Sequence, residues 1–162
     1  MYRLYFLTLV LSILLAGACS GPGSKGSTGD SSPQERVTGS GVSMSDDEFE
    51  AHIKAGRKIY IEKCLVCHMA DGAGIPNAFP PVRYSDYLQA DPVRGAEQVL
   101  NGSDEKMIVN GKVYDAPMPP QVNTKEEARA VINYVLYEMN GYKKSELLTT
   151  DDIDHVKIER KN

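Results

Sequence analysis

Apolar positions fall into helical period three times along the chain. Ser45-Asp46-Asp47-Glu48 sets a hydroxyl three residues before a carboxylate, the reciprocal cap of a helix start. Phe49, Ile53, Gly56 and Tyr60 then recur at helical spacing and predict one buried stripe. Gly56 costs about 1 kcal/mol against Ala inside a helix, which points to a close approach of another helix at that position. Asp91-Pro92 opens a second helix with an N-cap and a proline at the first turn, Val93, Ala96, Val99 and Leu100 face inward, and Asn101-Gly102 stops it. Thr124-Lys125-Glu126-Glu127 caps a third, whose face is Ala128, Val131, Ile132, Val135, Leu136 and Met139, ending at Asn140-Gly141. Between the second and third, Met107-Ile108-Val109 and Lys112-Val113-Tyr114 flank Asn110-Gly111, a two-residue hairpin signal. Met118-Pro119-Pro120 can continue neither helix nor strand and predicts a stiff, extended loop.

The pattern differs at both ends. Leu4–Ala16 is an apolar run of 13 residues broken only by Thr8 and Ser12, too short to cross about 30 Å of hydrocarbon. Preceded by Arg3 and followed by Ala16-Gly17-Ala18, it has the layout of a secretory signal over residues 1–18. Cys19 comes directly after, and the whole resembles a bacterial lipoprotein signal, which implies a lipid on Cys19 and an anchor without a spanning helix. Residues 19–44 read as a linker: 15 of the 24 positions from 20 to 43 are Gly, Ser or Pro, too few apolar groups to support a core. The domain is expected over 45–142. The tail, 143–162, carries a candidate cap at Thr150-Asp151-Asp152 and at most one further helical turn.

With 18 basic and 22 acidic residues the net charge is −4, which excludes a basic nucleic-acid footprint. Three cysteines cannot all pair as disulfides. Two of them stand in Cys64-Leu65-Val66-Cys67-His68, the C-x-x-C-H spacing of covalent haem attachment. Two thiols three positions apart reach the two vinyl groups along a haem edge, and the adjacent imidazole meets the iron from the same side. A zinc site would need a second Cys/His cluster, a redox dithiol a βαβ setting, and a disulfide leaves His68 without a role.

For the sixth iron position the candidates are Met69, Met107, Met118, Met139, His52 and His155. Met69 adjoins His68 and cannot reach the opposite haem face. Met139 falls on an apolar stripe, Met107 opens a strand, and His52 and His155 read as solvated. Met118, 50 residues after His68 in the proline-stiffened loop, is the expected thioether ligand.

Gly56-x-x-x-Tyr60-x-x-x-Cys64-x-x-Cys67-His68, Asp71-Gly72-x-Gly74, Phe79-Pro80-Pro81, Val109-Asn110-Gly111, Met118-Pro119 and Tyr134 together resemble the class I monohaem cytochromes c, over about residues 46–142. The likeness is to the bacterial forms found alone or fused to periplasmic oxidoreductases such as nitrite reductases. It implies a small all-α fold of three main helices and one short hairpin around one covalent haem c. It also implies packing of Gly56 and Tyr60 on Val131 and Tyr134, and a Pro80 carbonyl that accepts the hydrogen bond of the proximal imidazole. The expected function is single-electron transfer between redox protein partners at the periplasm-facing side of a bacterial membrane, with no catalysis and no substrate at the iron. The alternatives are a haem subunit of a larger respiratory or periplasmic complex, and a haem enzyme or gas-binding protein in which Met118 is labile.

Overall fold

The computed structural model describes residues 44–160; the expected signal, Cys19 and nearly all of the linker lie outside the described residues. Helix α1, Asp46–Ile59, starts at the Ser45 cap, where Glu48 returns the hydrogen bond to the Ser45 amide at 2.9 Å. It runs on without a break into a π-helical turn, Tyr60–Cys64, and a last α-turn, α2, Leu65–His68. Short α3, Asp86–Ala90, is capped by Ser85, and α4, Pro92–Asn101, by Asp91. Strands β1, Met107–Val109, and β2, Lys112–Tyr114, pair antiparallel with Ile108 opposite Val113. Asn110 and Gly111 turn the chain at positive φ, 52° and 74°, as a tight hairpin requires. Helix α5, Lys125–Tyr134, opens on the Thr124/Glu127 capping box and continues as a second π-helical turn, Val135–Met139.

The three predicted helices and the hairpin are therefore present. The π-turns and α3 were not foreseen, since neither disturbs the apolar period enough to show.

Helices α1 and α5 pack directly, and Gly56 is the reason they can. A Cβ there would overlap the carbonyl oxygen of Ala130 and come within 2.8 Å of the Tyr134 Cβ. Tyr60 meets Tyr134 one turn on, ring centroids 5.6 Å apart. Gly56 thus rests on Ala130 and Tyr134; of the two expected partners Tyr134 is in contact, and Val131 lines the cavity described below.

The residues after 142 are where expectation and structure part. They form a 3-10 turn, Lys144–Glu146, and helix α6, Thr150–Asp154, rather than at most one turn. The cap is Thr149, one residue earlier than read, because Asp152 reaches back to the Thr149 amide at 2.6 Å. Leu147, Leu148, Ile153 and Val156 are buried in the same core as α1, α4 and α5. Two asparagines hold the segment by its backbone. Asn133 accepts from Leu148 N–H and donates to Leu148 O, both at 2.9 Å. Asn101 donates to Lys157 O at 2.8 Å and accepts from Glu159 N–H at 2.7 Å.

Candidate functional site

The π-turn carries Cys64 to a buried position, and α2 adds Cys67 and His68 three and four residues later, close to one helical turn on. Met69 then breaks the helix at φ 65°, its carbonyl held by the Tyr60 hydroxyl at 2.7 Å. From there the chain folds back over His68. Gly74 N–H bonds His68 O at 3.0 Å, and Ile75 pairs with Phe79. Gly74 sits at φ 69°, where a Cβ would lie 2.6 Å from Pro80 O. That close return sets Pro80 O 2.9 Å from His68 Nδ1, so Nδ1–H donates to the carbonyl and Nε2 keeps its lone pair.

Cys64, Cys67, His68 and Met118 all line one cavity of about 350 Å3. Its other walls are mostly apolar: Leu88 from α3, Val99 from α4, Val109 from β1, and Val131, Ile132 and Val135 from α5 and its π-turn. Met118 reaches it from a loop fixed by its backbone. Ser103 and Met118 exchange both N–H···O bonds, at 2.8 and 2.7 Å, and Gly102 at φ 82° permits the approach, since a Cβ there would lie 2.8 Å from Met118 O.

The site's chemistry suits a porphyrin joined by thioethers better than a free ion. Burial, with Cys67 close by, pushes the Cys64 thiol up to about 11, so it is a poor thiolate for metal or redox chemistry. Burial also pushes His68 below its ordinary value, against the opposing pull of the Pro80 bond, which keeps the ring neutral and able to ligate. Among the described residues no three His, Cys, Asp or Glu side chains are placed to hold a metal ion.

The remaining ligand candidates sort by position. Met139 is core, against Gly72. Met69 and His155 are exposed. Met107 is half-buried and lines the cavity beside Met118, a neighbourhood its place in a strand did not reveal. His52 was misjudged: it is buried, not solvated. Its Nδ1 lies 3.3 Å from Glu126 Oε1, and its Nε2 accepts from Asn133 Nδ2 at 3.1 Å. The reading also missed Tyr87, Gln98 and Ser103, polar residues that join the cavity wall only because α3 and α4 fold against the Met118 loop.

A fold of helices with one small hairpin, built around an apolar cavity that a C-x-x-C-H turn enters, is that of a class I c-type cytochrome. The cytochrome c family model matches residues 53–138, more than half of the chain, and the chain belongs to that family. Its members carry covalently attached haem c and transfer electrons. No curated protein matches the chain. The segment 143–160 lies beyond the matched residues.

Proposed function

We propose that this chain is a one-electron carrier with a single haem c, joined to Cys64 and Cys67 by thioethers and ligated at iron by His68 and Met118. In this reading Cys19 carries the lipid that holds the domain at the periplasmic side of a membrane, in reach of redox protein partners. The supporting observation is that these four haem-site side chains, from Cys64 to Met118, line one apolar cavity in which Nδ1 of His68 is already engaged by Pro80. Bound there, haem c supplies a ferric–ferrous couple. The protein's part is to hold and tune. Nδ1–H of His68 donates to Pro80 O and orients the ring, Met118 offers a soft sulfur that favours the ferrous state, and the apolar walls disfavour extra charge. With both axial positions filled from the chain, the iron has no place for substrate.

The ligand assignment is tested with Met118→Ala beside Met107→Ala. We expect Met118→Ala to fold and keep its covalent haem. It should lose the weak long-wavelength band of sulfur-ligated ferric haem, show a lower midpoint potential, and bind carbon monoxide when reduced. Met107→Ala should change none of these. Exchanged phenotypes would make Met107 the ligand. Carbon monoxide binding by the unaltered protein would overturn the carrier reading, and haem lost to acid–acetone extraction would refute thioether attachment.

A further inference from the structure

The loop that carries Met118 leaves α4 after Asn101 and enters α5 at the Thr124 cap. Both of its ends rest on the last turn of α4. Ser103, just past Asn101, exchanges backbone hydrogen bonds with Met118. On the far side Gln121 N–H and Val122 N–H both donate to Val99 O, at 2.8 and 3.2 Å. The last turn of a helix is where it frays, because its final carbonyls have no partner within the helix. Whatever holds that turn therefore holds the sulfur.

The closing residues, 157–160, do so. Asn101 is 6% exposed and commits both ends of its amide to them, donating to Lys157 O at 2.8 Å and accepting from Glu159 N–H at 2.7 Å. Arg160 then donates to Asn123 Oδ1 at 2.5 Å, immediately before the α5 cap. One short run is thus tied to the residue that precedes the loop and to the residue that follows it. That run lies outside residues 53–138, the stretch matched by the cytochrome c family model.

We propose that residues 157–160 are a strap that keeps the Met118 loop on the cavity, with Asn101 and Asn123 as the positioning residues it grips. The proposal rests on the reading above in which Met118 is the sixth ligand. A thioether is a weak, neutral ligand, so how often it leaves the iron depends on how much freedom its loop regains by leaving. The strap removes that freedom from both ends of the loop.

The test uses the full chain in detergent, with imidazole as a competing ligand. The ferric protein is titrated and the imidazole concentration that halves the sulfur band is read, with haem content and the urea midpoint measured on the same samples. Imidazole binds the iron only where sulfur has left, so that concentration falls as the open fraction rises. Asn123→Ala and Arg160→Ala, both at exposed positions, should each lower it about fivefold, the effect of one lost hydrogen bond. Combined, they should go no further than either alone. Asn101→Ala loses two bonds and should lower it more, while Asn123→Asp keeps the acceptor and should restore the unaltered value. Asn133→Ala frees the segment at Leu148 instead. It should lower the urea midpoint and leave the imidazole value where it was. Haem and sulfur band present, with that value unmoved in Asn123→Ala and Arg160→Ala, overturns the strap and leaves the carrier reading intact. An equal shift in Asn133→Ala also overturns it, since the effect is then one of general stability. An unaltered chain that holds haem but has no sulfur band overturns the ligand reading, and the strap with it.

Discussion

Gly56 shows how much one missing methyl group can decide. The contact it allows is with the Ala130 carbonyl, a backbone atom that cannot rotate aside as a side chain can. Gly56→Ala must therefore push α1 away from α5 and loosen the Tyr60–Tyr134 contact a turn further on. We expect a loss of about 3 kcal/mol, toward the upper end for overpacking, read as a lowered midpoint in urea unfolding. That Gly56 marks a close helix crossing was legible from a glycine on an apolar stripe. Tyr134 was foreseen as a partner, but the nearest atom belongs to Ala130, one residue before the expected Val131, because stripe periodicity defines a face and not which of its backbone atoms comes nearest. The same limit hid His52, whose ring is met by Asn133, itself held by Leu148, residues distant in sequence and unremarkable in pattern.

At the scale of elements, capped helices and the Asn-Gly hairpin could be read directly, since caps and turns are local chemistry. The closing segment could not. Its burial comes from a few apolar residues, Leu147, Leu148, Ile153 and Val156, too short a run to show a period. Its attachment has a pH consequence. Leu148 N–H and C=O fix which end of the Asn133 amide donates, so the second Nδ2 hydrogen must find an unprotonated His52 Nε2. Nδ1–H is then left to face Glu126, itself paired with Arg129 at 2.7 Å. Burial first, then Arg129, pushes His52 below its ordinary 6.5, against the pull of Glu126. The unfolded chain thus takes up this proton before the folded one does, and stability is lost as pH falls below about 6.5. The carboxylates held low, Glu126 among them, add their own loss only near and below 4.5. Between those limits His52→Leu should flatten the pH dependence of stability relative to the unaltered protein, and thermal unfolding across that range measures it. His68, also held low, is common to both proteins and drops out of the difference.

For the whole molecule, the cytochrome c class was open to sequence reading because the C-x-x-C-H run and the Met118 loop, which meet at one cavity, are short contiguous stretches. The polar end of the cavity was not, because Tyr87, Gln98 and Ser103 meet only after α3, α4 and the loop have packed. The carrier reading also makes the domain separable from its anchor. Cys64, Cys67, His68 and Met118, the cavity and the closing segment all fall within residues 44–160, and Cys19 lies outside them. Cys19→Ser, expressed behind a cleavable secretory signal, should leave the membrane fraction for the soluble one with an unchanged haem spectrum. A chain that is soluble and unacylated before any change would remove the anchor from the proposal.

The hydrogen bond that orients His68 ends on a main-chain oxygen, and this governs what a mutational survey can detect. Replacing Pro80 with alanine leaves an acceptor of the same kind in place, so a scan that truncates side chains one by one would score the contact as dispensable. The information sits six residues earlier. At Gly74 an added Cβ would lie 2.6 Å from that same oxygen, in a backbone conformation that other residues rarely adopt. A position that makes no hydrogen bond to the histidine side chain is thus the one through which heredity can reach it.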